Sequence, residues 1–202
     1  MTITWLGHSC FILESEGFRV LLDPYKGVQG LPDVEAEADA VYCSHGHLDH
    51  AYTEKVRLTE GKENPFAVHE VSVFHDDAGG AKRGPNTIRK FTAEGVSVAH
   101  MGDLGHALSP EQLADLGRCD VLLIPVGGFF TIDAPTAKAV ADAVGANVVV
   151  PMHYRNGPTG FDVLGTLEDF TGLYPAELVK QYGSTLAVEK DMPRQVAVLT
   201  LG

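Results

Sequence analysis

The segment His45-Gly46-His47-Leu48-Asp49-His50 constrains this chain most, because it places four potential metal ligands within six residues. It directly follows an apolar run at residues 40–44, which predicts a strand. Imidazole and carboxylate groups suit a divalent first-row metal, and the glycine lets the loop fold around an ion. Because a segment this short cannot arrange all of these ligands tetrahedrally around one ion, we expect two adjacent ions.

Further potential ligands follow other apolar runs. His75 ends the run at residues 71–74, Asp103 comes shortly after the run at 96–99, and His153 follows the run at 147–151. Strand ends carry the loops in which binding residues concentrate. A chance cluster of exposed histidines would not recur at strand ends in this way. We therefore predict that these side chains meet the first segment at one edge of a sheet.

The chain reads as a single α/β domain spanning residues 1–202. Short apolar runs broken by Gly, Pro, Asp and Asn predict strands at residues 2–6, 10–13, 19–23, 40–44, 71–75, 87–91, 96–99, 121–125, 147–151 and 195–201. Ser109, Pro110 and Gln112 form a helix-start signal, with Gly117 as the stop. A second helix is predicted at 133–144, ended by Gly145. The simplest architecture is two mainly β layers with helices outside.

Charge and cysteine content narrow the partners and the compartment. Lys and Arg total 15 against 27 for Asp and Glu, a net charge of -12 that repels phosphate backbones and anionic lipids. We therefore expect neither nucleic acid nor a membrane as a partner. The three cysteines are an odd number without C-x-x-C spacing, which favours a reducing cytoplasm. The first residues show no basic leader before an apolar run, so export is not expected.

The order H-x-H-x-D-H, then a histidine, Gly-Asp and a late histidine resembles the metallo-β-lactamase superfamily. Other segments resemble its compact branch of ascorbate-6-phosphate lactonase-like hydrolases. These segments are TWLGHS at 4–9, LLDP at 21–24, HDD at 75–77, RGPNT at 83–87, GDLGH at 102–106, PVGG at 125–128 and PMHY at 151–154. The resemblance spans nearly the whole chain.

The resemblance implies a four-layered αββα sandwich with a metal site at one edge. It implies two divalent ions: His45, His47 and His75 would bind one, Asp49, His50 and His153 the other, and Asp103 would bridge them. Zinc is the metal we expect, and the same ligands accept manganese, iron, cobalt or nickel. The implied activity is hydrolysis of a small ester, lactone or phosphoester by a metal-bridging hydroxide, with Asp49 orienting that hydroxide.

Residues outside the ligand set are predicted to assist it. His8 and His106 match histidines that recur in this branch. They are candidates for substrate contact or proton transfer, with hydrogen-bond support of the metal ligands as the equal alternative. Asp23 is predicted to orient a metal-bound histidine rather than to bind metal, with a turn residue before Pro24 as the alternative.

Other loop residues are candidates for substrate contact. Arg83 and Arg155 have the fork geometry to hold a phosphate or carboxylate, against the alternative of solvated loop arginines. The segment Gly127-Gly128-Phe129-Phe130 predicts a turn whose aromatic side chains either wall the pocket or pack in the core.

Three alternatives to a small-molecule hydrolase remain. A di-iron redox protein of the same superfamily is disfavoured, because such proteins typically carry glutamate where this chain has His47. A nuclease or phosphodiesterase is disfavoured by the acidic composition. A metal-binding module without catalysis is the third. The sequence leaves open the substrate, the physiological metal and whether the chain forms a homo-oligomer.

Overall fold

Short β-branched and aromatic runs separated by glycine and proline make strands the dominant element of the computed structural model, which describes residues 1–202. The strands are β1 (Thr2–Gly7), β2 (Cys10–Ser15), β3 (Phe18–Leu22), β4 (Ala36–Ala38), β5 (Ala40–Tyr42), β6 (Val56–Leu58), β7 (Ala67–Phe74), β8 (Pro85–Ala93), β9 (Val96–His100), β10 (Val121–Pro125), β11 (Val148–Met152), β12 (Val179–Gln181), β13 (Thr185–Ala187) and β14 (Gln195–Val198). The helices are α1 (Pro110–Leu116), α2 (Ala134–Val144), α3 (Leu167–Thr171) and a short 3-10 helix, Ala176–Leu178.

The strands form two large sheets that share one core. The first sheet has the order β13-β1-β2-β3-β5, and the second has the order β12-β14-β11-β10-β9-β8-β7. Phe11 and Leu13 of the first sheet belong to the same buried cluster as Val98 and Leu123 of the second. The two sheets therefore pack face to face, as predicted.

The central strands of the second sheet are buried on both faces. Every residue of β10 and β11 is buried, which explains their unbroken apolar sequences. Helix α1 begins at the predicted capping box, in which the Ser109 side chain accepts from Gln112 N. Helix α2 ends at Gly145 in the left-handed conformation. None of the helices has the length and apolar character needed to cross a lipid bilayer.

The outer face of the first sheet differs from the expected helical layer. Cys10 and Leu21 point away from the main core and pack with Tyr25, Val28 and Val34 from the connection after β3. The small parallel sheet of β4 and β6 lies beside them. Glycines and prolines interrupt this connection, so a loop rather than a helix covers the sheet. All three α-helices lie in the second half of the chain.

Candidate metal centre

Four strand ends bring the predicted metal ligands together. The segment at residues 45–50 follows β5, His75 follows β7, Asp103 follows β9 and His153 follows β11. Strand β5 belongs to the first sheet and the other three belong to the second. The seven residues that the sequence assigns as ligands therefore meet where the carboxyl ends of strands from both sheets converge.

The Asp103 carboxylate lies at the centre of this cluster. Its Oδ2 atom is 3.2 Å from Nε2 of His50, 3.3 Å from Nε2 of His75 and 3.3 Å from Nε2 of His153. The cluster contains three groups of donor atoms that lie within 4.8 Å of one another. The groups are His8, Asp49, His50 and His153; His45, His47 and His75; and His45, His50 and Asp103.

Hydrogen bonds behind the cluster orient two of its imidazoles. Nδ1 of His50 is 2.8 Å from Oδ2 of Asp23, and Nδ1 of His45 is 3.0 Å from Oγ of Ser44. Asp23 also accepts from Ser44 N and Ser44 Oγ, both at 2.6 Å. The Nε2 atoms of both histidines are thereby left for the cluster. Asp23 stands outside the donor groups, at the position predicted for an orienting carboxylate.

The donor set fits divalent metal ions. Buried polar atoms nearly always have a hydrogen-bond partner, yet many at this site have none. They are Nε2 of His45 and His50, Nδ1 of His75, Oδ1 of Asp103, and both ring nitrogens of His8 and His153. Cations coordinated by these imidazoles and carboxylates would satisfy the atoms that point into the cluster.

The protonation states also suit metal binding. Burial, with the charge of His153, lowers the pKa of His8 to about 3, and burial with the charge of His50 lowers the pKa of His45 to about 4. Burial alone would raise the pKa of Asp103, but His153 and His50 outweigh it and hold that pKa well below its usual range. At neutral pH the site therefore offers neutral imidazoles at His8 and His45 and an ionised carboxylate at Asp103. At His50 burial would lower the pKa, but the carboxylates of Asp103 and Asp23 outweigh burial and raise it, so a metal ion there would displace a proton.

Strained backbone marks the loops that carry the site. His8, Asp23 and His153 have φ angles of 51°, 44° and 53°, in the left-handed region that non-glycine residues rarely adopt. Gly127 allows a close approach beside them, because a Cβ atom there would lie 2.3 Å from the carbonyl oxygen of His153. The packing that enforces this strain keeps the side chains at fixed positions.

The two histidines predicted to assist the ligands occupy different places. His8 lies inside the cluster, with its ring centroid 4.2 Å from that of His153 and its Nε2 atom 3.6 Å from Asp49 Oδ2. His106 belongs to none of the donor groups. Its Nε2 atom accepts from Phe74 N at 3.1 Å, and its Nδ1 atom is 2.8 Å from the carbonyl oxygen of Ala107. This geometry favours a role in positioning the loops around His75.

The predicted substrate-contact residues line neighbouring loops. Arg83 donates to the carbonyl oxygen of Phe129 at 3.2 Å, and its guanidinium lies 5.5 Å from the ring centroid of Phe130. Arg155 donates from Nε to the carbonyl oxygen of Leu164 at 3.4 Å. Phe129 is 64% exposed and Phe130 is half-buried, so these aromatics are not core residues. The core-packing alternative is therefore wrong for these two residues, and the walling role stays a prediction.

Sequence patterns assign no role to Asp76 and Asn86, although both lie in segments that carry the resemblance. Asp76 accepts from four backbone N–H groups, those of residues 78, 80, 82 and 83, and so shapes the loop after His75. Asn86 accepts from Asp103 N at 3.1 Å and donates to Met101 O at 2.9 Å. It therefore holds the backbone that presents the central carboxylate.

Comparisons with known proteins identify the family of this chain. The β-lactamase superfamily domain matches residues 2–153. A UPF0173 metal-dependent hydrolase of Methanoculleus marisnigri is 31% identical over 205 residues, which cover 84% of this chain and 87% of that protein. A second, of Methanosphaerula palustris, is 31% identical, covering 78% of this chain and 85% of that protein.

A solved structure extends the match to the whole fold. It is a protein from Thermotoga maritima described as a Zn-dependent hydrolase of the metallo-β-lactamase superfamily. The similarity has a TM-score of 0.79 at 35% identity and covers 100% of this chain and 99% of that chain. The predicted metallo-β-lactamase fold, an α/β sandwich, is thereby confirmed, with a loop in place of the helical layer expected on the outer face of the first sheet. The chain belongs to the metallo-β-lactamase superfamily, in the family of UPF0173 metal-dependent hydrolases.

Proposed function

We propose that this chain is a metal-dependent hydrolase that holds two divalent ions and cleaves a small ester, lactone or phosphoester. One observation carries the proposal: a buried carboxylate oxygen of Asp103 lies within 3.3 Å of imidazole nitrogens from His50, His75 and His153. In the proposed assignment this carboxylate would serve as a ligand of both ions. The names of the relatives support the coarser activity, metal-dependent hydrolysis.

The proposed ligand assignment is the one that the sequence resemblance implies, and two of the donor groups contain its histidines and Asp49. His45, His47 and His75 would hold the first ion, and Asp49, His50 and His153 would hold the second, with Asp103 between them. Zinc is the expected metal because imidazole and carboxylate ligands suit it, and the other first-row divalent ions remain chemically compatible. When bound, a pair of such ions acidifies water and polarises a carbonyl or phosphoryl oxygen near neutral pH.

Asp49 is proposed to orient the attacking water. Its side chain is 25% exposed, whereas that of Asp103 is 2% exposed. Burial would raise the pKa of Asp49, but its contact with His8 and the charge of His50 outweigh burial and lower that pKa. Asp49 therefore stays ionised and can accept a hydrogen bond from water at a solvent-facing oxygen.

The surroundings favour a small substrate with an apolar part. Leu48 is 63% exposed beside the ligands, and Phe129 is exposed on a loop beside Gly127, whose backbone closely approaches His153. Arg83 uses one donor on Phe129 O, which leaves further N–H groups for an anionic substituent. Arg155 stays a second candidate contact. The net charge of -12 disfavours a nucleic acid substrate.

Metal analysis combined with a substrate panel tests the proposal. We expect purified protein to contain about two divalent ions per chain, and activity on esters, lactones or phosphoesters to disappear with a chelator and return with added metal. Asp103→Asn should lose most metal and activity. Asp39→Asn provides the matched control, because Asp39 is a buried aspartate outside the donor groups.

The outcomes separate the competing functions. Fewer than about one ion per chain, with no activity restored by any divalent ion, would refute the proposal. Full metal loading without turnover on any substrate would identify a binding module instead. Chelator-sensitive cleavage of RNA or DNA alone would identify a nuclease.

A further inference from the structure

His8 has no place in the ligand set proposed above, yet its environment is that of a ligand. Its side chain is 0% exposed, and neither ring nitrogen has a hydrogen-bond partner. A buried histidine in a purely structural role normally satisfies both nitrogens. His100, another buried histidine, does so: its Nε2 is 2.9 Å from Ser9 O, and its Nδ1 accepts from Gly102 N at 3.2 Å.

The donor distances around His8 match those of atoms bound to one ion. Donors bound to one zinc ion at about 2.0–2.1 Å lie roughly 3–4 Å apart. Nε2 of His8 is 3.6 Å from Asp49 Oδ2, and Nε2 of His50 is 3.8 Å from the same oxygen. His8 therefore stands in the same relation to Asp49 as His50 does, and the donor group containing both also includes His153.

A hydrogen bond to Asp49 does not explain the position of His8. The separation of 3.6 Å exceeds a normal N–H···O distance. The other neighbours of the ring include Tyr25 and Phe161, whose ring centroids lie 6.1 Å and 5.8 Å away at near-perpendicular angles. These aromatic neighbours confine the imidazole without occupying its nitrogens.

The backbone also holds His8 toward the cluster. Its φ angle of 51° is left-handed, and its carbonyl oxygen accepts from Trp5 Nε1 at 3.0 Å and from His153 N at 3.3 Å. These contacts tie the turn between β1 and β2 to the loop after β11. Strain of this kind persists where surrounding structure enforces it for a function.

We infer that His8 is an additional protein ligand of the second ion, beside Asp49, His50 and His153. The inference rests on the proposed function, because it requires that ion. With His8 bound, the second ion would be more completely enclosed by protein. Substrate would then meet the first ion, where His47 is exposed and His45 and His75 complete the group.

His8→Gly with imidazole rescue tests the inference. Glycine accepts the left-handed conformation without strain and leaves space for an imidazole molecule. Metal-free wild type and variant would be titrated with Co²⁺ against a chelating indicator while the d–d absorption bands are recorded. His69→Ala is the matched control, because His69 is an exposed histidine that contacts Asp115 and belongs to no donor group.

We expect wild type and His69→Ala each to bind two Co²⁺ ions, with the same pair of affinities in both proteins. Loss of a hydrogen-bond partner of a ligand costs roughly 10–100-fold in affinity, so loss of a ligand should weaken the second ion by about 100-fold or more. Added imidazole should restore both the affinity and the wild-type absorption bands. Circular dichroism of the metal-free proteins checks that the variants fold. If His8→Gly does not fold, His8→Asn replaces it, because asparagine also tolerates the left-handed conformation.

Each other outcome overturns a specific claim. If wild type binds no Co²⁺, the proposed function fails and this inference fails with it. If wild type binds two ions and His8→Gly keeps both affinities, only the role of His8 is refuted. Weakened binding that imidazole does not restore, with unchanged absorption bands, would make His8 a positioning residue and not a ligand.

Discussion

Asp23→Asn tests whether a buried carboxylate sets the metal affinity of this site. Asp23 is buried, and its carboxylate accepts hydrogen bonds from Ser44 N and Ser44 Oγ. Its Oδ2 atom also lies 2.8 Å from His50 Nδ1. Asparagine keeps the shape but replaces one oxygen with an NH₂ donor, so one of these donors must face another donor. Each hydrogen bond to a charged group contributes about 1.5–3 kcal/mol, so we expect the free energy of unfolding to fall by roughly 2–4 kcal/mol.

Metal affinity should fall as well, because the Asp23 contact directs the Nε2 atom of His50 into the cluster. Loss of such a partner costs about 10–100-fold in affinity, which is roughly 1.4–2.7 kcal/mol. Urea denaturation of the metal-free protein measures the first quantity, and competition with a chelating indicator measures the second. The two measurements separate stability from metal binding.

Asp39→Asn is the matched control for this prediction. The Asp39 side chain is 1% exposed, accepts from Arg19 N at 2.7 Å and pairs with Lys62 Nζ at 2.9 Å. It precedes β5, whereas Asp23 follows the opposite end of the paired strand β3. The control should lose stability and keep wild-type metal affinity. Wild-type affinity in Asp23→Asn itself would refute the claim that Asp23 orients His50.

Three further outcomes are expected. A ligand present at about 1,000 times its Kd stabilises the folded protein by about 4 kcal/mol, so removing the metal with a chelator should lower the thermal midpoint by roughly 8–16 °C in calorimetry. An unchanged midpoint would argue against a metal site in the folded protein. Burial would raise the pKa of Asp76, but its backbone hydrogen bonds, the largest from Arg83 N, lower that pKa from 3.8 to about 2. Its contribution to stability is therefore present above pH 3.8 and is lost as the pH falls through about 2. Asp76→Asn should thus be less stable than wild type at pH 7, and the difference in free energy of unfolding, measured by urea denaturation, should narrow toward pH 2. A difference that stays constant with pH would contradict this. Backbone groups occupy both ring nitrogens of His106, so His106→Ala should keep its metal and lose about 1 kcal/mol of stability, whereas loss of turnover at full metal content would assign proton transfer to this ring.

Local patterns in the sequence anticipate much of the fold. Helix α1 begins at the Ser109 capping box and α2 ends at Gly145, because capping depends on a few adjacent residues. The unbroken apolar runs of β10 and β11 are strands, as predicted. Helix α3 and the short strands β4, β6, β12 and β13 lack a strong periodic signal, and tertiary packing defines them.

The candidate site divides in the same way between sequence and structure. Residues 45–50 predict a metal loop because all their donors lie on one short segment, and their spacing predicts more than one ion. The resemblance names His75, Asp103 and His153, but only the packing of two sheets shows that His50, His75 and His153 surround one oxygen of Asp103. The assignment of each ligand to an ion stays a prediction.

The sequence by itself determined the donor chemistry, the strand-rich domain and the positions at strand ends where donors occur, because these depend on residue type and local spacing. The tertiary structure decided which histidines have free nitrogens inside the cluster. It placed His8 among the predicted ligands, whereas both ring nitrogens of His106 contact backbone groups, although the two residues are equivalent as sequence signals. The physical reason is that hydrogen-bond satisfaction depends on atoms distant in sequence, which only the packed sheets bring within reach.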